Sequence, residues 1–196
     1  MQKINIAMLL LGLALPATAE CVPHRVLKIV TVHEPDNETH TLYRLGSRYG
    51  RMEAQNDKAH LLFVINEPDI WVLNQTDNTG QHMVDDDEKP EFHAPVIDTE
   101  SKVWRQLEFG CEEPFMKAVG ARVEQLDGGV VQYTHEAEGT SVVLTVAKGK
   151  PQRMEVTAPE MKYAIRYVAF EMLDETSADR FTKPEKIGFV EAKQDQ

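Results

Sequence analysis

Seven histidines, His24, His33, His40, His60, His82, His93 and His135, are the residues best able to hold a metal or move a proton near neutral pH. A compact metal site wants two of them at i, i+4 on a helix or at His-x-His on a strand. No pair has either spacing, and no His-Glu-x-x-His occurs. They read as scattered surface histidines, with no metal site. A Gly-x-Ser-x-Gly elbow and a phosphate loop are likewise missing from the sequence. Glu112 and Glu113 are adjacent, so their side chains do not converge on one reacting atom. Standing before Pro114, they suit a helix start, where negative charge is favoured. The run Asp85-Asp86-Asp87-Glu88 lacks the glycine and the spaced oxygens of a calcium loop, and reads as a solvated loop. The motifs imply neither a cofactor nor catalysis.

Two cysteines, Cys21 and Cys111, stand 90 residues apart. Redox catalysis would want Cys-x-x-Cys or a thiol of lowered pKa. In an oxidising compartment an even pair is most simply a disulfide, contributing ~4 kcal/mol on the loop-entropy model. That compartment is itself an expectation of the N-terminus. Lys3 is followed by the apolar run Ile4–Leu15 and by Pro16-Ala17-Thr18-Ala19, the pattern of a secretory signal peptide cleaved after Ala19. The run holds 12 residues, short of the ~20 that cross a bilayer. A periplasmic mature chain, 20–196, with no transmembrane segment is expected. Glu20 before Cys21 does not suit lipoprotein processing.

Only Lys3 of the leader is charged, so its removal takes the formal net charge from −11 to −12. A surface this acidic argues against nucleic acid and anionic membrane as partners.

The mature chain reads as one domain of short β runs broken by turns. Val26–His33, Thr39–Leu45, Gly50–Gln55, His60–Ile65, Ile70–Leu73 and Gln81–Val84 precede a polar, proline-bearing loop over 85–98. Thr99 is placed to cap a helix carrying Val103, Trp104 and Leu107, ended by Gly110. Pro114 is placed to open a second, with Phe115, Met116 and Val119. Strand patterns return over Arg122–Leu126, Val130–Tyr133, Thr140–Val146, Gln152–Val156 and Lys162–Leu173. A tail follows as a loop or short helix and a last edge strand. About ten strands and at most two short helices predict a mainly β (α+β) fold. A single curved antiparallel sheet, forming an open barrel with a short helical lid, is the natural outcome.

Several segments carry a resemblance. They are Tyr43–Glu53 (YRLGSRYGRME), Ile70–Asn74 (IWVLN) and Phe115–Arg122 (FMKAVGAR). Further on come the Asp127-Gly128-Gly129 turn with Tyr133, Lys148–Glu155 (KGKPQRME) and Asp179–Pro184 (DRFTKP). In this order, across roughly residues 40 to 190, they resemble the periplasmic lipoprotein-carrier superfamily (LolA/LolB-like). The resemblance implies an open barrel of about eleven strands with a helical lid over an apolar cavity. It does not extend to partner-docking or acyl-releasing residues.

The candidate ligand-binding residues are therefore apolar. Phe63, Ile65, Trp71, Leu73, Tyr163 and Tyr167 lie on strands expected to border the barrel interior, and Trp104 and Phe115 on the lid. They fit a non-catalytic carrier of a lipid, a lipoprotein acyl chain or another lipophile. They fit equally a solid core inside a module that docks an envelope protein, since both use the same residue types.

Overall fold

The computed structural model describes residues 21–56, 58–97, 99–185 and 188–191. The proposed signal peptide, residues 1–19, lies outside them. Eleven strands form one continuous antiparallel ladder: β1 (Leu27–Glu34), β2 (Glu38–Leu45), β3 (Tyr49–Gln55), β4 (His60–Asn66), β5 (Asp69–Asn74), β6 (Thr79–Val84), β7 (Arg122–Leu126), β8 (Val130–Ala137), β9 (Thr140–Ala147), β10 (Lys150–Ala158) and β11 (Met161–Met172). The order across the sheet is β6-β5-β4-β3-β2-β1-β11-β10-β9-β8-β7, and a parallel strand, β12 (Gly188–Glu191), is added beside β6. The sheet is curved and does not close.

Two meanders explain this order. β1 to β6 and β7 to β11 each run strand to neighbouring strand through tight turns. The two halves join where β1 pairs with β11. The turns are of the kinds the sequence marks. Asn37, Asn78, Glu138 and Lys148 adopt positive φ at hairpin tips. Glu138 and Lys148 are each followed by a glycine that does the same.

Segment 85–119 does not join the sheet; it folds back over one face of it, the lid face. One α-helix forms, α1 (Glu112–Ala118), together with a single 3-10 turn at Trp104–Gln106. A helix from Thr99 does not develop. Thr99 Oγ1 accepts from the Ser101 amide and Ser101 Oγ from the Trp104 amide. The chain then leaves the turn extended at Leu107, whose carbonyl accepts from the Val96 amide at 2.9 Å. A two-stranded contact with the preceding loop replaces further helix. α1 opens at Glu112, so Pro114 sits inside the first turn, where its missing N–H costs nothing.

The main core lies between lid and sheet. Trp104, Leu107, Phe115, Met116 and Ile97 interlock with Ile29 of β1, Leu144 of β9, Met154 of β10 and Ile165 of β11. On the opposite, back face, Phe181 packs with Val26 and Leu45. The turn containing Phe181 also contacts β3 and β4.

Candidate functional site

Strand register decides where each predicted ligand residue points, because directly paired residues share a face. Phe63 pairs with Met52 and Val72, and Ile65 with Gly50 and Ile70. Met52 and Ile65 pack on the lid core. Phe63 and Ile65 therefore lie on the lid face.

Trp71 and Leu73 do not. They pair with Val64 and Leu62, and these four form a separate, fully buried cluster on the back face. The expectation that Phe63, Ile65, Trp71 and Leu73 border one interior is thereby corrected. Trp71 stacks instead on His82, at 5.5 Å between ring centroids, and His82 Nε2 lies 2.8 Å from Asp69 Oδ1. The sequence misled because both alternating sets of β4 and β5 are apolar, so a period of two gave no preferred side.

The remaining candidates divide again. Tyr163 and Tyr167 share the lid face of β11, with Ile165 between them. Trp104, Phe115 and Tyr167 are nearly inaccessible, at 0%, 5% and 8% exposure. Trp104 donates its indole N–H to the Ala137 carbonyl at 3.1 Å and packs on Phe115 and His135. Tyr167 donates to Glu112 Oε1 at 2.9 Å. Over β1 and β8–β11 the predicted hollow is filled by the lid.

Over β3–β6 it is not. Leu61, Phe63 and Ile65 of β4, Ile70 and Val72 of β5 and Met83 of β6 occupy consecutive lid-face positions, and all are only half-buried. This strip is the apolar surface available to a ligand. Leu61, Ile70, Val72 and Met83 were not singled out from sequence, although their i, i+2 spacing beside Phe63 and Ile65 is a usable signal. One end of the strip is closed by Phe92, whose ring lies where a Cβ on Gly50 would meet it at 2.6 Å. Two open surface clefts elsewhere are lined by mainly polar residues, among them one of about 580 Å³ between Arg51, Glu53, Glu175 and Arg180.

A polar cluster fastens the lid. Arg44 of β2 donates to Glu108 Oε2 at 2.6 Å, and His93 Nδ1 meets Glu108 Oε1 at 2.6 Å. Burial pushes the Glu112 carboxyl up to about 7, against hydrogen bonds from its own amide, the Gly110 amide and Tyr167. Tyr133 donates to Glu113 Oε1 at 2.7 Å. The fold brings Cys21 and Cys111 together, with Cys111 Sγ 3.7 Å from the Cys21 carbonyl. In this structure both are free thiols, held side by side as the expected disulfide requires. Burial raises the pKa of each, so they stay protonated and are poor nucleophiles.

At the far end of the lid face, His33 and His40 lie with ring centroids 4.1 Å apart, and Tyr163 stacks on His33. Burial, helped by His40, lowers the His33 pKa to about 4.

No protein-family model matches the chain, and no curated protein matches it. A solved structure does. An uncharacterized conserved protein from Thermus thermophilus is similar over 86% of this chain and 91% of its own, with a TM-score of 0.54 and 14% identity. That likeness concerns the fold alone.

Proposed function

We propose that this is a secreted, periplasmic, non-catalytic carrier that holds a lipid, a lipoprotein acyl chain or another lipophile on the lid face of β3–β6. The supporting observation is the half-buried strip Leu61, Phe63, Ile65, Ile70, Val72 and Met83, which runs on beside the packed lid core. Burying about ten methylene groups there at ~0.8 kcal/mol each gives about 8 kcal/mol, the scale of micromolar affinity, with no charged anchor. The resemblance of the sequence to lipoprotein carriers agrees with this reading.

Lipid extraction of protein purified from the periplasm, together with titration of a fluorescent fatty acid, tests it. Bound lipid, or saturable probe uptake lost in Val72→Asp, is expected. A lipid-free protein that also ignores the probe overturns the carrier.

A second reading has its own observation. All five residues of the edge strand β7 are exposed, including Val123 and Leu126. An exposed edge accepts another strand, which suits an envelope-protein docking module. In-cell photocrosslinking from position 123 to one recurrent protein, in a lipid-free preparation, would favour it.

A further inference from the structure

The two edges of the sheet are finished differently. β6 is covered by the parallel strand β12, whereas β7 carries no strand on its outer side among the described residues. All five residues of β7 are exposed, Val123 at 51% and Leu126 at 40%. A bare row of backbone donors and acceptors is a template for another strand. The side chains of β7 decide which strand fits.

Arg122 and Glu124 stand two residues apart, so they share one face of β7. The same Arg-x-Glu spacing occurs on two interior strands, at Arg51–Glu53 of β3 and Arg153–Glu155 of β10. Both of those close on themselves, with Arg51 Nη2 2.8 Å from Glu53 Oε1 and Arg153 Nε 3.1 Å from Glu155 Oε1. On β7 the ion pair is not made: neither Arg122 nor Glu124 has a salt bridge or a side-chain hydrogen bond among the described residues. The β8 residues opposite them, Thr134 and Gln132, carry no charge. The bare edge thus presents an unpaired cation and an unpaired anion on either side of an exposed valine.

We infer that β7 pairs antiparallel with β7 of a second copy of this chain, about a two-fold axis at Val123. In that register Arg122 lies opposite Glu124 of the second copy, Glu124 lies opposite its Arg122, and the two Val123 side chains meet. A two-fold contact repeats every pairing, so one complementary pair of charges becomes two. Sliding the strands by two residues sets Glu124 against Glu124 in one direction and Arg122 against Arg122 in the other. Like charges directly opposite are destabilising, so the charge pattern fixes the register as well as the partner. The axis stands perpendicular to the sheet, which keeps both lid faces on one side. α1 packs on β8 and β9, behind the edge, and the β3–β6 strip lies in the other half of the sheet. The contact therefore leaves the strip uncovered and is independent of what the strip holds. Each copy carries a formal net charge of −11, so general repulsion opposes the pairing and the local charges must outweigh it.

Sedimentation equilibrium of the full-length mature protein at about 0.15 M salt, where the Debye length is ~8 Å, tests the contact. A reversible dimer with a Kd of roughly 10–100 µM is expected, because one strand pair buries less than the ~1,200 Å² of a standard interface. Arg122→Glu and, separately, Glu124→Arg place like charges opposite one another twice, and should each weaken dimerisation by about tenfold or more. An equimolar mixture of the two variants restores opposite charges at every pairing and should associate as tightly as wild type. Both positions are exposed, so an unchanged Tm separates a lost contact from a damaged fold. Wild-type protein that stays monomeric at about 500 µM overturns the pairing. So does wild-type affinity in both single variants, a mixture no tighter than its components, or photocrosslinking from position 123 that reaches only a different protein.

Discussion

The Tyr167 hydroxyl of β11 donates to the Glu112 carboxylate at 2.9 Å, joining the longest strand to the first residue of α1 inside a dry contact. This bond sets the lid helix on the sheet. It also holds an ionisable group whose folded and unfolded proton affinities differ.

The first prediction is a pH dependence. The Glu112 pKa is raised from 4.5 to about 7 by burial, so the folded state binds more protons than the unfolded state between those values. Stability from this group is therefore full below about pH 4.5, falls as the pH rises, and levels off above about 7. The whole change is on the order of 3 kcal/mol. Urea denaturation at pH 5 and pH 8 should show Glu112→Gln losing that slope relative to wild type; parallel pH profiles would refute the assignment.

His33 works in the opposite direction. Its pKa is lowered from 6.5 to about 4, so its contribution is present above pH 6.5 and is lost as the pH falls towards 4. The two groups partly cancel in the wild type. In a Glu112→Gln background, acidification should destabilise visibly, and His33→Gln added to it should flatten the curve. An unchanged acid limb after His33→Gln would be the contrary result.

Core and ligand strip separate by mutation. Trp104→Ala removes a fully buried indole and its bond to the Ala137 carbonyl, and should cost ~3–5 kcal/mol in denaturant. Val72→Asp, on the half-buried strip, should cost less stability but abolish uptake of a fluorescent fatty acid. The proposal fails if the two variants behave alike in both assays.

Gly50 is tied to its neighbour by space. A Cβ there would meet Phe92 Cε1 and Cζ at 2.6 Å. Gly50→Ala should destabilise by about 1–3 kcal/mol. Adding Phe92→Leu should recover part of that loss, giving a coupling in a double-mutant cycle. Additive effects would mean that the ring moves freely.

The thiols give a further prediction. In the native state Cys21 and Cys111 should react slowly with iodoacetamide at pH 7, because burial keeps both protonated. A small disulfide oxidant should instead couple them within one chain, raising stability by up to ~4 kcal/mol. Mixed disulfides or cross-linked dimers as the main product would contradict this proximity.

The turns and strands were legible in the sequence for a local reason. Asn74–Gly80, Glu138-Gly139 and Lys148-Gly149 carry turn chemistry in their own residues, and β4, β5 and β9 carry their apolar runs. The helix expected from Thr99 was not secured by local signals. Ser101 turns the chain early, and the Leu107 carbonyl finds a better partner in Val96 than in another helical turn.

By itself, the sequence determined an acidic β chain, the positions of its strands and a lone pair of cysteines with no redox motif around them. What it left undecided was sidedness. Alternation gives every strand two faces, and where both are apolar, as in β4 and β5, only the lid and the 174–185 segment choose which is buried. Contacts made across long loops are invisible for the same reason. Glu112 with Tyr167, and Glu67 with Asp85 and Asp87, acquire their unusual environments from the folded packing around them rather than from their neighbours in the chain.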